Sequence, residues 1–229
     1  MITKLLPASA RSSFRLLPRT WTLVALAALV GSGIGVALAA THQSSSRLAV
    51  PPTPPNMRWA AGIRRAPDFR LRDQQGRSIS LASLRGRATI LTFIDPLCRN
   101  LCPLEAKVLD SAARRIPASQ RPTIVAVSVN PWAETQADLR LDARKWRLSP
   151  QWRWALGRRA QLASVWRRYE IGVRVTTRIV AGVKVRQIAH SEAAYLIDRF
   201  GYERALYLFP YSAADVARTA RELAPNGSS

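Results

Sequence analysis

The chain has 229 residues, 48% of them hydrophobic, with 35 Lys and Arg against 14 Asp and Glu and a formal net charge of +21. That length accommodates one domain plus an extension, and such a domain buries enough surface to fold without a staple, so scaffold disulfides do not explain the two cysteines. The first fifty residues carry Lys4, Arg11, Arg15, Arg19 and Arg47 and no acid, which leaves +16 for the remainder, a field that attracts anions without specifying a fold.

Residues 1–20 form a basic N-terminus. Residues 21–40, from Trp21 to Ala40, contain no charge and are rich in Leu, Val and Ala. At about 1.5 Å per residue this run spans a hydrocarbon core of about 30 Å, and the preceding arginines place the N-terminus in the cytoplasm. A single-pass anchor at the cell membrane is therefore expected, with the following domain on the extracytoplasmic side. Ala37-Leu38-Ala39 resembles a small-x-small cleavage site, so a removed signal peptide is the alternative. Export argues against a nucleic-acid partner. It turns the basic surface toward anionic lipid headgroups or an acidic protein. Residues 41–65 read as a Ser/Pro-rich linker, semi-rigid and extended through Pro51-Pro52-Thr53-Pro54-Pro55.

The domain is expected over residues 66–229. Phe69 to Asp73 and Ile79 to Leu81 flank a turn and predict a short hairpin. Ala88 to Ile94 and Ile124 to Val129 are nearly continuous apolar runs, as in strands buried on both faces. Between them, Leu104, Val108, Leu109 and Ala112 recur at helical spacing behind Pro103, which suits a first helical turn. Helices are predicted over Ala133–Trp146 and Arg159–Tyr169, then a two-stranded excursion from Val173 to Ile188 turning at Ala181-Gly182. Strands follow at Ala193–Ile197 and Glu203–Leu208. Ser212 caps a last helix through Leu223, with Asp215 in its first turn. This alternation predicts an α/β domain of thioredoxin-like fold, a central mixed sheet flanked by helices, behind an N-terminal transmembrane helix.

Cys98 and Cys102 stand at the junction of the first buried strand and its helix. A helix N-terminus favours a thiolate and lowers a cysteine pKa, and Arg99 adds a nearby cation. A four-residue spacing puts both sulfurs on one side of a helical turn, where they form a disulfide or face one metal ion. Of the two histidines, His42 lies in the linker and reads as solvated. His190 precedes the strand Ala193–Ile197, and in a thioredoxin-like sheet that loop lies beside the first helix's N-terminus. Two sulfurs and a nitrogen suit Cu⁺ and also hold Cu²⁺ or Zn²⁺.

Ala66-Pro67-Asp68-Phe69, Cys98-x-x-x-Cys102-Pro103, Val127-Ser128-Val129-Asn130-Pro131 and His190-Ser191 leading into Tyr195-Leu196-Ile197-Asp198 together make the chain resemble the SCO/SenC family of copper-binding assembly factors for cytochrome oxidase. The resemblance runs from about Ala66 to Leu223. It implies that Cys98, Cys102 and His190 are copper ligands, and that an apo-oxidase copper subunit or another copper protein is the client. The chain departs from the family's pattern at Arg99-Asn100-Leu101, where Pro-Asp-x is common. It departs again at Asn130 and Ala189, where acids are common. A copper metallochaperone is thus expected. The alternative is a membrane-anchored thiol–disulfide oxidoreductase, with Cys98 and Cys102 as its redox pair, acting on cysteines of a copper-site apoprotein.

Overall fold

The computed structural model describes residues 52–133 and 144–223. The expected anchor and the first part of the linker, His42 included, lie outside the described residues, as does most of the helix expected over Ala133–Trp146. No helix among the described residues is long and apolar enough to cross a membrane.

The core is an eight-stranded mixed sheet built from β1 (Met57–Arg58), β2 (Arg70–Asp73), β3 (Ser78–Ser80), β4 (Thr89–Ile94), β5 (Thr123–Ser128), β6 (Trp152–Leu156), β9 (Ala193–Ile197) and β10 (Glu203–Leu208). Its spatial order is β1-β10-β9-β4-β5-β6-β2-β3. Every residue of β4 is buried, as its continuous apolar run requires. Ile90 and Ile94 pack with Ile124 and Ala126 under helix α1 (Leu101–Arg114) and helix α3 (Ala213–Glu222). Leu91 and Phe93 point the other way, with Val125 and Val127, toward helix α2 (Arg159–Arg168). Each fully buried aliphatic side chain in these strands contributes about 1.5–3 kcal/mol.

Two strands depart from expectation. β1 lies inside the segment read as linker, and it extends the sheet by pairing with β10, Met57 opposite Leu206. β6 was not expected. It runs parallel to β5, Ile124 opposite Trp152 and Ala126 opposite Trp154, and antiparallel to β2. Arg153 between the two tryptophans is held at 2.6 Å by the fully buried Asp73. Burial alone would raise the Asp73 carboxyl, but Arg153 and the N–H groups of Arg77 and Gln75 hold it below its usual value.

The chain crosses from β4 through Asp95–Asn100 into α1. β9 is antiparallel to β4, Thr92 opposite Ala194, so the entry to β9 lies beside the exit of β4. Ligand crevices form at such carboxyl ends of strands. Leading into β9 is a separate exposed hairpin, β7 (Val173–Val180) and β8 (Val183–His190). Ala181 (φ 49°) and Gly182 (φ 77°) turn it, and two successive positive φ values are those of a type I′ hairpin turn.

Candidate metal centre

Asp95 builds the turn that carries Cys98. Its Oδ1 accepts from the Leu97 N–H at 2.9 Å, and its carbonyl accepts from the Cys98 N–H at 3.1 Å. Helix α1 begins only at Leu101, so Cys98 sits before the helix and Cys102 within its first turn, followed by Pro103 where no N–H is needed. Asn100 occupies the N-cap position without capping. Its Oδ1 accepts instead from the Cys98 thiol at 3.3 Å. Both cysteines are free, Cys98 half-buried and Cys102 1% exposed.

His190, the last residue of β8, brings its Nε2 to 3.6 Å from Cys102 Sγ. Its Nδ1–H donates to the Ser191 carbonyl at 3.1 Å, and its Nε2 faces the sulfur. An anchored second ring nitrogen is the usual arrangement of a metal-binding histidine. Ser191 also closes the base of the hairpin, because Gly172 and Ser191 exchange hydrogen bonds at 3.0 and 3.1 Å. With bonds of about 2.3 Å to sulfur and 2.0–2.1 Å to nitrogen, a metal shared at tetrahedral to trigonal angles would set sulfur and nitrogen about 3.5–3.8 Å apart. The observed separation fits. Among the described residues no group of three His, Cys, Asp and Glu side chains is assembled as a metal cluster. Closing the set requires Cys98, whose thiol donates to Asn100 Oδ1, to join the pair. All three side chains line one cavity of about 600 Å³, together with Asp95, Ile188 and Phe209.

The electrostatics differ from expectation at Cys102. Burial pushes its thiol well above the ordinary value, and the neighbouring Cys98 adds to the rise. The helix end does not overcome the loss of water. Arg99 folds onto its own turn, donating to the carbonyls of Pro96 and Cys98 at 3.4 Å. His42 lies outside the described residues.

The profile of the SCO1/SenC family matches residues 60–224. The chain belongs to this family. No curated protein sequence matches it. Among solved structures it is similar to Bradyrhizobium japonicum ScoI with copper bound, at a TM-score of 0.61 and 20% identity, covering 69% of this chain and 99% of that one. Arabidopsis thaliana ScoI with copper bound gives a TM-score of 0.61 and 22% identity over 69% and 98%. BsSco, described as a member of the Sco family of cytochrome c oxidase assembly proteins with a disulfide switch, gives 0.57 and 18% over 75% and 98%. These likenesses carry the fold, which is the thioredoxin-like Sco fold.

One departure of this SCO1/SenC chain from the family's pattern has a structural reason. Asn130 Nδ2 donates to Asp95 Oδ1 at 2.9 Å, bracing the carboxylate that orders the Cys98 turn. A second carboxylate at position 130 would repel Asp95 instead.

Glu105 is the residue that sequence reading missed. It lies one turn beyond Cys102 in α1 and is fully buried. Its Oε1 stands 2.7 Å from the Thr92 hydroxyl and accepts from Tyr211 at 2.9 Å, while Oε2 has no partner among the described residues. The single Thr92 hydroxyl proton is shared between Glu105 Oε1 and the Ala193 carbonyl at 3.0 Å. Burial pushes this carboxyl up to about 7, against the pull of Thr92 and Tyr211 and with a smaller push from Glu192. The folded value lies above the unfolded one. The contribution of neutral Glu105 is therefore full below about pH 4.3 and is lost as pH rises through about 7. Urea midpoints measured from pH 5 to 8 should fall across this window, and Glu105→Gln should flatten the fall by at most about 3 kcal/mol. An unchanged slope in the variant would assign the pH dependence to other groups.

Proposed function

We propose that this SCO1/SenC chain carries copper outside the cytoplasm, held by Cys98, Cys102 and His190, and passes it to a copper-bearing subunit of cytochrome oxidase or another copper protein. The observation that carries the reading is the approach of His190 Nε2 to Cys102 Sγ, with the imidazole fixed from behind by Ser191. Family membership and the copper-bound ScoI proteins support copper as the cargo. Soft sulfur donors favour Cu⁺, and the imidazole extends the set to Cu²⁺. Three protein ligands leave a coordination position free, so a client's own ligand can enter before Cys98, on the exposed side of the cavity, lets go. The test is the count of sulfur and nitrogen ligands around copper in the loaded chain.

A second reading is thiol–disulfide exchange, favoured by the asymmetry between half-buried Cys98 and buried Cys102 and by the disulfide switch ascribed to BsSco. In that reaction the Cys98 thiolate attacks a client disulfide and forms a mixed disulfide. Cys102 then displaces the client thiol, so two electrons and two protons pass to the client as Cys98 and Cys102 become bonded.

Residues 21–40 would tether the domain to the extracytoplasmic face of the cell membrane. The full chain should then stay in the membrane fraction through a carbonate wash, whereas release of a form starting near Ala40 would establish a cleaved signal peptide.

A further inference from the structure

The β7–β8 hairpin does more than carry His190. From Ile171 to Ser191 it contains no acidic residue and four cations, Arg174, Arg178, Lys184 and Arg186. It is also apolar at its tip, where Ile179 is 68%, Val180 56% and Val183 64% exposed. Exposed aliphatic side chains concentrated on one projecting element mark a contact surface.

The register shows what kind of surface this is. Directly opposed residues share a face, so Ile179 and Lys184 lie on one face, and Val180, Val183, Arg178 and Val185 lie on the other. Apolar groups therefore occupy both faces at the tip, around the Ala181-Gly182 turn. Cations occupy both faces in the next layer. The hairpin is an apolar wedge with a basic collar on every side. A protein partner would need one complementary face. A bilayer surface meets the wedge all round, with acyl chains receiving the tip and anionic headgroups receiving the collar.

The lower half of the hairpin is tied to the body. The Arg186 guanidinium lies 4.7 Å from the Trp132 ring centre, and Arg159 lies 5.9 Å from the same ring. Arg174, Arg178 and Lys184 form no ion pair among the described residues. The exposed backbone edges of a two-stranded element forbid deep insertion, because unpaired N–H and C=O groups cannot enter hydrocarbon. Residues 179–183 have the reach for shallow contact, roughly 5–10 Å at the headgroup boundary.

We propose that the tip of this hairpin, residues 178–184, docks on an anionic phospholipid surface. Seven residue steps separate the Val180–Val183 pair at the tip from the Val173–His190 pair. At about 3.4 Å per residue, docking would hold the His190 cavity roughly 20–25 Å above the headgroups, at a fixed height from which a membrane-bound client is reached.

The test is hydrogen exchange on the full chain reconstituted in vesicles of phosphatidylcholine alone or with one-third phosphatidylglycerol. Amides of residues 178–184 should exchange about tenfold more slowly in the anionic vesicles, given the attraction of two collar cations for such a surface. The difference should shrink at high salt, where the field is screened. It should vanish in the Ile179→Asp/Val183→Asp double variant. These side chains are exposed, so exchange in β4 and β5 should remain unchanged and certify the fold. Equal exchange in the two vesicle types would overturn the proposal, as would protection that survives the double variant. Slowing by soluble poly-glutamate without slowing by anionic vesicles would make the hairpin a protein-docking surface and equally refute it.

Discussion

Cys98→Ser is expected to remove nearly all Cu⁺ binding from the reduced chain, a loss larger than the roughly 10–100-fold that deleting an outer-shell partner costs. The substitution exchanges a soft thiolate for a hydroxyl that does not ionise and that Cu⁺ disfavours. Cys98 is half-buried and lies before α1, so the fold should be little affected, and competition against a Cu⁺ chelator reads the ligand loss cleanly. Cys102→Ser should be as damaging to binding. It also buries a hydroxyl in the helix–sheet core, at a cost of about 1–3 kcal/mol if unpaired, so its melting point must be recorded beside its affinity. Near-wild-type Cu⁺ affinity in Cys98→Ser would remove that residue from the ligand set.

His190→Ala separates the two readings of the site. Two thiolates still hold Cu⁺ in linear geometry, so Cu⁺ affinity should fall only partly. Cu²⁺ prefers nitrogen and oxygen donors, so its binding should largely disappear. The hairpin base keeps its Gly172–Ser191 hydrogen bonds in this variant, which protects the local fold. An exchange enzyme behaves differently. Its disulfide chemistry would continue nearly unchanged, and copper would bind the wild type weakly and without fixed stoichiometry. Retention of full Cu²⁺ binding in His190→Ala would mean that the imidazole approaches Cys102 without serving as a ligand.

Much of this was legible in the sequence because the signals were strong and local. β4 and β5 announce themselves as continuous apolar runs buried on both faces, and β9 and β10 fall on the residues expected. The gathering of Cys102 with His190 followed from the expected thioredoxin-like sheet, in which the entry to β9 lies beside the start of α1. β6 was missed although Trp152 and Trp154 alternate around Arg153. The cation reads as a loop residue until its partner, the buried Asp73, is known to sit across the sheet. The direction of the Cys102 thiol shift was missed because a helix end is a local feature, whereas burial depends on α3, β9 and β10 closing over the same core. Glu105 was overlooked for the same reason. The available signal was an acid in the apolar stripe of α1, beside Cys102, Ala106 and Leu109, but its partners Thr92 and Tyr211 are distant in the chain.

The claim that Cys98, Cys102 and His190 form one site is tested most directly by X-ray absorption at the copper edge of the reduced chain loaded anaerobically with one equivalent of Cu⁺. The account predicts two sulfur scatterers and one imidazole nitrogen per copper, with the nitrogen lost in His190→Ala. A first shell without sulfur, or two sulfurs with no imidazole in the wild type, would contradict it.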